Sequence, residues 1–160
     1  MLRTGIRTVK ESQVQMVQMV LPTDTNRLGN LLGGQLMHWI DIAAAIAASR
    51  HANRVCVTAS VDEINFHHPI QQGDVVTLQA SVNRVFRTSL EVGVSVTKEN
   101  LITGEKLSTN TAYLTFVAID QAGKPTPVPP IKPMTKAEKR RYTDAARRRE
   151  LRLHHRKQRH

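Results

Sequence analysis

A chain of 160 residues, 40% of them hydrophobic, has room for one domain with a substantial core. Its single cysteine, Cys56, excludes an intrachain disulfide and fits a reducing compartment. The net charge of +10 belongs to one end: residues 1–123 carry ten Lys/Arg and ten Asp/Glu, and residues 124–160 thirteen against three.

Met1 to Lys10 mixes Arg3, Arg7 and Lys10 with few apolar residues and has no signal-peptide core. Val14 to Val20 (VQMVQMV) reads as a first strand, ended by Leu21-Pro22. A polar loop, Thr23 to Leu32, follows, with Asn26, Gly29 and Asn30 as turn formers. Gly33 to about Arg50 is the next element, a helix closed by Arg50, His51, Asn53 and Arg54. It is apolar almost all the way round, the pattern of a helix buried inside a domain. Its longest near-apolar run, Trp39 to Ala48, is interrupted by Asp41 and too short to span a bilayer, so a soluble, cytoplasmic protein is expected.

Beyond the helix the period changes to two. Val55, Val57, Ala59 and Val61 alternate with polar or small residues, and the apolar phase then slips to Ile64 and Phe66. A β-bulge near Asp62-Glu63 accounts for that slip. Val76 to Val82, Leu90 to Val96 and Leu107 to Ile119 supply three more strands. Gly73-Asp74, Phe86-Arg87-Thr88 and Asn100 to Gly104 are the connections. Short links imply antiparallel, meander-like pairing, and one sheet with one apolar helix implies an α+β fold whose sheet curls around the helix.

Gly123 to Pro133 holds five prolines in eleven residues and must be extended. Thr135 and Glu138 have capping-box spacing and open a basic helix to about Arg156. Three segments follow: a domain over 1–123, a proline-rich linker over 124–134, and a basic helical tail over 135–160.

Asp41 is the first candidate for chemistry. No Lys or Arg lies one turn away on either side, and an isolated buried charge is costly. It must find a partner elsewhere, line a wet cavity, or serve as a structural carboxylate satisfied by loop amides. Gly33-Gly34 at the helix start lets a carbonyl approach backbone N–H groups at the positive end of the dipole, an oxyanion site.

Asn30-Leu31-Leu32-Gly33-Gly34-Gln35-Leu36-Met37-His38-Trp39-Ile40-Asp41 resembles the N-x-x-G-G-x-x-M-x-x-x-D signature of the cytosolic acyl-CoA thioester hydrolases, which have the hotdog fold. Arg50-His51, Val57 to Asp62, Asn65-Phe66, Pro69 and Gly73-Asp74 fall where that family has similar residues, and the resemblance covers about residues 12–150. It implies hydrolysis of acyl-CoA to fatty acid and CoA, with Asn30 and Asp41 catalytic. It also implies dimers, often three of them in a hexamer. Thioester hydrolysis needs a nucleophilic water and a stabilised oxyanion. Asp41 would serve as general base or attack directly to give an anhydride; Asn30 would orient the water or the carbonyl.

Seven residues separate Gly34 from Asp41, about 10 Å along a helix axis. Asn30 lies further back, so a composite site is expected, with Asn30 from one chain and Asp41 from its partner. For the phosphates of CoA, Arg87-Thr88-Ser89 and Arg50 are the candidate contacts. His38, His67 and His68 lack further ligands at metal spacing, so neither metal nor redox cofactor is expected. A hydratase would want a histidine at the place held by Asp41. The tail runs Lys139-Arg140-Arg141 and Arg147-Arg148-Arg149 have three readings: contacts to CoA phosphates, nonspecific binding of nucleic acid or anionic membrane, or a solvated helix packing weakly on the oligomer. With no aromatic interleaving beyond Tyr142, specific nucleic-acid recognition is not expected. The alternative function is a noncatalytic acyl-CoA-binding regulator whose basic tail binds nucleic acid.

Overall fold

Alternating apolar side chains on three long strands build the wall on which the rest is assembled. A computed structural model describes residues 5–160; Met1 to Thr4, the start of the basic N-terminal stretch, lie outside the described residues. The elements run β1 (Arg7–Thr8), β2 (Val14–Met19), α1 (Gly33–Ala52), β3 (Val55–Val61), β4 (Val75–Val85), β5 (Ser89–Glu99), β6 (Lys106–Ile119), β7 (Ile131–Lys132) and α2 (Lys136–Gln158). The inner face buries Val76, Leu78 and Val82 of β4, Leu90 to Val96 in alternation on β5, and Leu114 and Phe116 of β6. Each fully buried large side chain contributes about 1.5–3 kcal/mol.

Against that face lies α1, through Leu36, Ile40, Ala43, Ala44, Ala47 and Ala48. Its alanines let helix and sheet backbones approach closely, and the strands curl around it as the hotdog expectation requires. Asn53, in the left-handed conformation at φ 49°, ends the helix by donating its N–H to Ser49. No helix among the described residues is long and apolar enough to cross a membrane.

Strand order departs from a simple meander. The five-stranded sheet runs β2-β4-β5-β6-β3, all antiparallel, so only β4 to β6 are joined by short turns. Residues 62–74 carry the chain from β3, at one edge, to β4 beside β2. The bulge expected at Asp62-Glu63 sits instead between Thr58 and Ser60. The apolar phase slips at Ile64 because β3 has already ended at Val61 and the chain is crossing the sheet end.

Burial of α1 is one-sided, contrary to the reading of its sequence. His38, Ile42 and Ile46 form an exposed stripe on α1; of the exposed valines of edge strand β3, Val61 is on the side facing α1, and Val55 and Val57 are on the opposite face of the sheet. An edge strand whose outer face carries valines is an unfinished surface.

Composition changes at residue 123, but the packed core continues past it. Val128 and Ile131 are buried, β7 pairs in parallel with β1, and Ala145 of α2 is fully buried. The capping box opens α2: the Glu138 N–H donates to Thr135 Oγ1 (3.1 Å) and the Thr135 N–H to Glu138 Oε2 (2.9 Å). From there α2 crosses the outer face of the sheet. Arg148 Nε donates to the buried Glu91 at 2.8 Å while its guanidinium covers the Tyr113 ring at 3.6 Å. Arg152 pairs with Asp62, Arg149 lies over Phe86, and Arg84 reaches back over Tyr142. Much of the tail's charge therefore fastens it to the sheet.

Two consequences are measurable. Arg148→Ala strands the Glu91 carboxylate in a dry site, and chemical unfolding should show a loss of about 3–5 kcal/mol, much of it recovered in an Arg148→Met/Glu91→Gln double variant. His51, at the end of α1, donates through Nε2 to the Pro129 carbonyl (2.7 Å), and burial holds its imidazole below the ordinary 6.5. The unfolded chain takes up that proton first on acidification, so stability falls as pH drops below about 6.5. His51→Gln retains a donor and should flatten that decline; identical pH profiles would contradict the assignment.

Candidate active site

The loop that leads into α1 is organised by one asparagine. Asn26 Oδ1 accepts the N–H groups of Leu28 (2.9 Å) and Asn30 (3.2 Å), closing a tight loop with Gly29 at φ 75°. The Leu31 N–H donates to the Ile70 carbonyl, and Asn30 bridges Gln71, so the loop is fastened to the 62–74 crossing. That arrangement delivers the chain into α1 at Gly33. Leu32, the cap residue, offers no side-chain acceptor. Its carbonyl takes the N–H groups of Gln35 and Leu36, leaving those of Gly33 and Gly34 without a partner among the described residues. Free donors at the positive end of a twenty-residue helix form an anion-stabilising corner.

A cleft of about 290 Å³ opens beside this corner, lined by Leu31, Gly33, Leu36, Phe66, Ile70 and Asn110, among others. The Phe66 ring lies over Gly33, where an added Cβ would sit 3.6 Å from it. Asn110 donates its amide to the Asn65 carbonyl and Lys98 Nζ donates to the Pro69 carbonyl, which holds the crossing in place over the cleft.

Asp41 lies two turns further along α1, on the exposed stripe and only half-buried. Its partner is a hydroxyl: Thr58 Oγ1 on β3 donates to Asp41 Oδ1 at 2.7 Å. No cation pairs with it among the described residues. The expected fully buried acid is thus a solvent-reachable one, held from the side. His38 is exposed one turn before it.

A single chain therefore gathers Asn30, Gly33 and Gly34 at one corner and leaves Asp41 about 10 Å down the axis. Arg50 donates to the Gln13 carbonyl (2.9 Å) near the far end of α1, about 25 Å from the glycines. Arg87 and Thr88 lie in the β4–β5 turn and Ser89 opens β5, an entire strand away from the corner. Carbonyls of Arg87 and Thr88 there accept from Val128 and Ala118. His67 and His68 are exposed on the crossing. Sequence reasoning missed two residues, Thr58 and Asn26. The first appeared within the family-like run Val57 to Asp62 with no role assigned to it, and the second as an ordinary turn former.

Comparison with known proteins supplies the class. A family model of the thioesterase superfamily matches residues 28–105. An uncharacterised acyl-CoA thioester hydrolase of Bacillus subtilis, YkhA, is 48% identical over 82% of this chain and 77% of its own length. A hexameric acyl-CoA thioesterase superposes with TM-score 0.91 at 42% identity, over 94% of this chain and 97% of the other. The acyl-CoA hydrolase of Staphylococcus aureus, solved with butyryl-CoA, CoA and CoA disulfide, superposes with TM-score 0.89 at 37% identity, over 96% and 93%. Variants of that enzyme with alanine for an aspartate, an asparagine or a threonine have also been solved. The chain belongs to the thioesterase superfamily, among its acyl-CoA thioester hydrolases.

An alanine at Gly34 tests the corner. Nothing lies within 4 Å of the added Cβ, so Gly34→Ala should leave the unfolding free energy within about 1 kcal/mol. A carbonyl crowded off the N–H groups should cost about tenfold or more in kcat/KM. An unchanged kcat/KM would remove the corner from the reaction.

Proposed function

We propose that the protein hydrolyses acyl-CoA thioesters to free carboxylic acid and CoA at sites shared between two chains. The observation that carries this is the placement of Asp41, held by Thr58 on an exposed apolar stripe and distant from its own chain's free N–H groups. Two chains meeting through Ile42, Ile46 and Val61, with their β3 edges side by side, would bury that stripe and set one Asp41 against the second chain's helix start. Asp41 then activates a water or attacks the thioester carbon itself. In either route the carbonyl oxygen becomes anionic beside Gly33 and Gly34 and the CoA thiolate leaves; in the second route water then hydrolyses the mixed anhydride on Asp41, which releases the acid and regenerates the carboxylate.

Spacing supports a choice of asparagine. In the Staphylococcus aureus hydrolase the replaced threonine follows the replaced aspartate by seventeen residues, as Thr58 follows Asp41. The replaced asparagine precedes that aspartate by fifteen residues; here Asn26 does so, whereas Asn30 precedes Asp41 by eleven. The proposed catalytic asparagine is therefore Asn26, with Asn30 acting as the backbone donor that its side chain grips.

The reaction in this form uses no metal or cofactor, and the lone cysteine fits a cytoplasmic setting. A trimer of such dimers agrees with the hexameric state named for the similar thioesterase. The regulator reading with a nucleic-acid-binding tail loses support, because Arg148, Arg149 and Arg152 are engaged with the sheet and its crossing.

Thiol release from acyl-CoA tests the proposal. Asp41→Asn should lose activity by about a hundredfold or more, and Asn26→Ala should lose far more than Asn30→Ala. Mixing Asp41→Ala with Asn26→Ala should restore roughly a quarter of wild-type activity through heterodimers with one intact site. No recovery after verified subunit exchange would contradict a shared site.

A further inference from the structure

The last two turns of α2 extend past the sheet that the rest of the helix covers. Its sheet-facing side carries Tyr142, Ala145, Arg148 and Arg152, three or four residues apart. These residues step across the strands in order. Tyr142 lies at Arg84 of β4, Arg148 at Glu91 of β5 and Tyr113 of β6, and Arg152 at Asp62, just past the end of edge strand β3. The helix from Tyr142 to Arg152 is about 15 Å long, the width of about three strand spacings. One chain's sheet is therefore used up at Arg152. From Leu153 to Gln158 the helix runs on for about 9 Å, every residue exposed. Among the described residues, the hydrogen bond its side chains make, between Gln158 and His154, stays within the segment. Helical spacing continues the sheet-facing side into Arg156, with Leu153 beside it.

A matching surface is left bare on the same molecule. Val55 and Val57 lie on the outer face of β3, the face that α2 crosses, and both are exposed. Their own α2 passes them by, because it crosses at Asp62, about 15 Å along the strand from Val57. Two-fold antiparallel pairing of the β3 edges removes that distance. It sets the Val61 end of one strand beside the Val55 end of the other. The outer face then continues into the second copy, and the overhanging turns of α2 lie above that copy's Val55 and Val57. A leucine and the aliphatic stem of an arginine suit such a valine surface. An anionic polymer would engage the cations of the overhang and leave Leu153 and the valines bare.

We infer that the C-terminal turns of α2 clasp the second chain of the dimer, with Leu153 and the Arg156 stem packed on the second copy's Val55 and Val57. The inference rests on the β3-edge dimer proposed above and gives α2 a part in holding it together. Each dimer contains the contact twice, on the face of the sheet away from Asp41.

Crosslinking and sedimentation test the clasp. Leu153→Cys and Val55→Cys, each in a Cys56→Ser background, are co-produced on differently tagged chains and treated with a short bismaleimide. The expected product carries both tags. Leu153→Asp in the full chain should move dissociation into monomers to a protein concentration about tenfold or more higher. Thiol release per dimer, measured well above that concentration, should stay at the wild-type level. Absence of the joined product, or unchanged dissociation in Leu153→Asp, would overturn the inference. So would loss of hexamers with dimers intact, which would assign the end of α2 to contacts between dimers. A wild type that sediments only as a monomer would remove the shared site and the clasp together, so the two failures are told apart.

Discussion

A single hydroxyl-to-carboxylate hydrogen bond, from Thr58 on β3 to Asp41 on α1, is the constraint around which the site is organised. It joins the central helix to the edge strand and fixes where the one acid of that helix points. Without it Asp41 would be a half-exposed side chain free among rotamers; with it, one carboxylate oxygen is committed to Thr58, and the other is the one the proposed reaction uses. Both partners sit on elements locked by burial, since α1 is packed into the curled sheet and β3 is paired along β6. Geometry held this way by rigid elements is what a reaction sensitive to ångström displacements requires.

The same stripe explains a feature of composition. α1 is apolar on more faces than its own sheet buries, and the excess falls on the exposed Ile42 and Ile46. Core formation within one chain uses the alanine face and leaves the isoleucine face open, with the acid between them. The outer face of the sheet is closed differently, by α2, whose arginines exchange solvent for Glu91, Tyr113 and Phe86. A buried ion pair of this kind is costly to break and gives registry more than net stability.

Local patterns in the sequence were a good guide wherever structure is decided locally. Alternation along Val76 to Val82 and Leu90 to Val96, the Thr135–Glu138 capping box, and the isolated Asp41 each depend on residues within a turn or a strand. What was not legible depends on partners far along the chain. The place of β3 at the sheet edge, and its bulge between Thr58 and Ser60, are set by pairing with β6, sixty residues away in places. One-sided burial of α1 escaped because Ile42 and Ile46 on its open face are as apolar as the residues that face the sheet. The role of Arg148 escaped because Glu91, on an otherwise apolar strand, lies 57 residues upstream of it. Asn26 looked like any turn former, since nothing in the local sequence shows that its side chain closes the loop on the N–H groups of Leu28 and Asn30.

The most direct measurement is a crystal structure with a ketone analogue of acyl-CoA bound, a methylene replacing its sulfur. The carbonyl oxygen should lie about 3 Å from the N–H of Gly33 or Gly34 of one chain, with the Asp41 carboxylate of the second chain facing the carbonyl carbon at about 3–4 Å. A carbonyl bound more than about 6 Å from every Asp41 carboxylate, or flanked by glycines and aspartate of the same chain, would contradict the account.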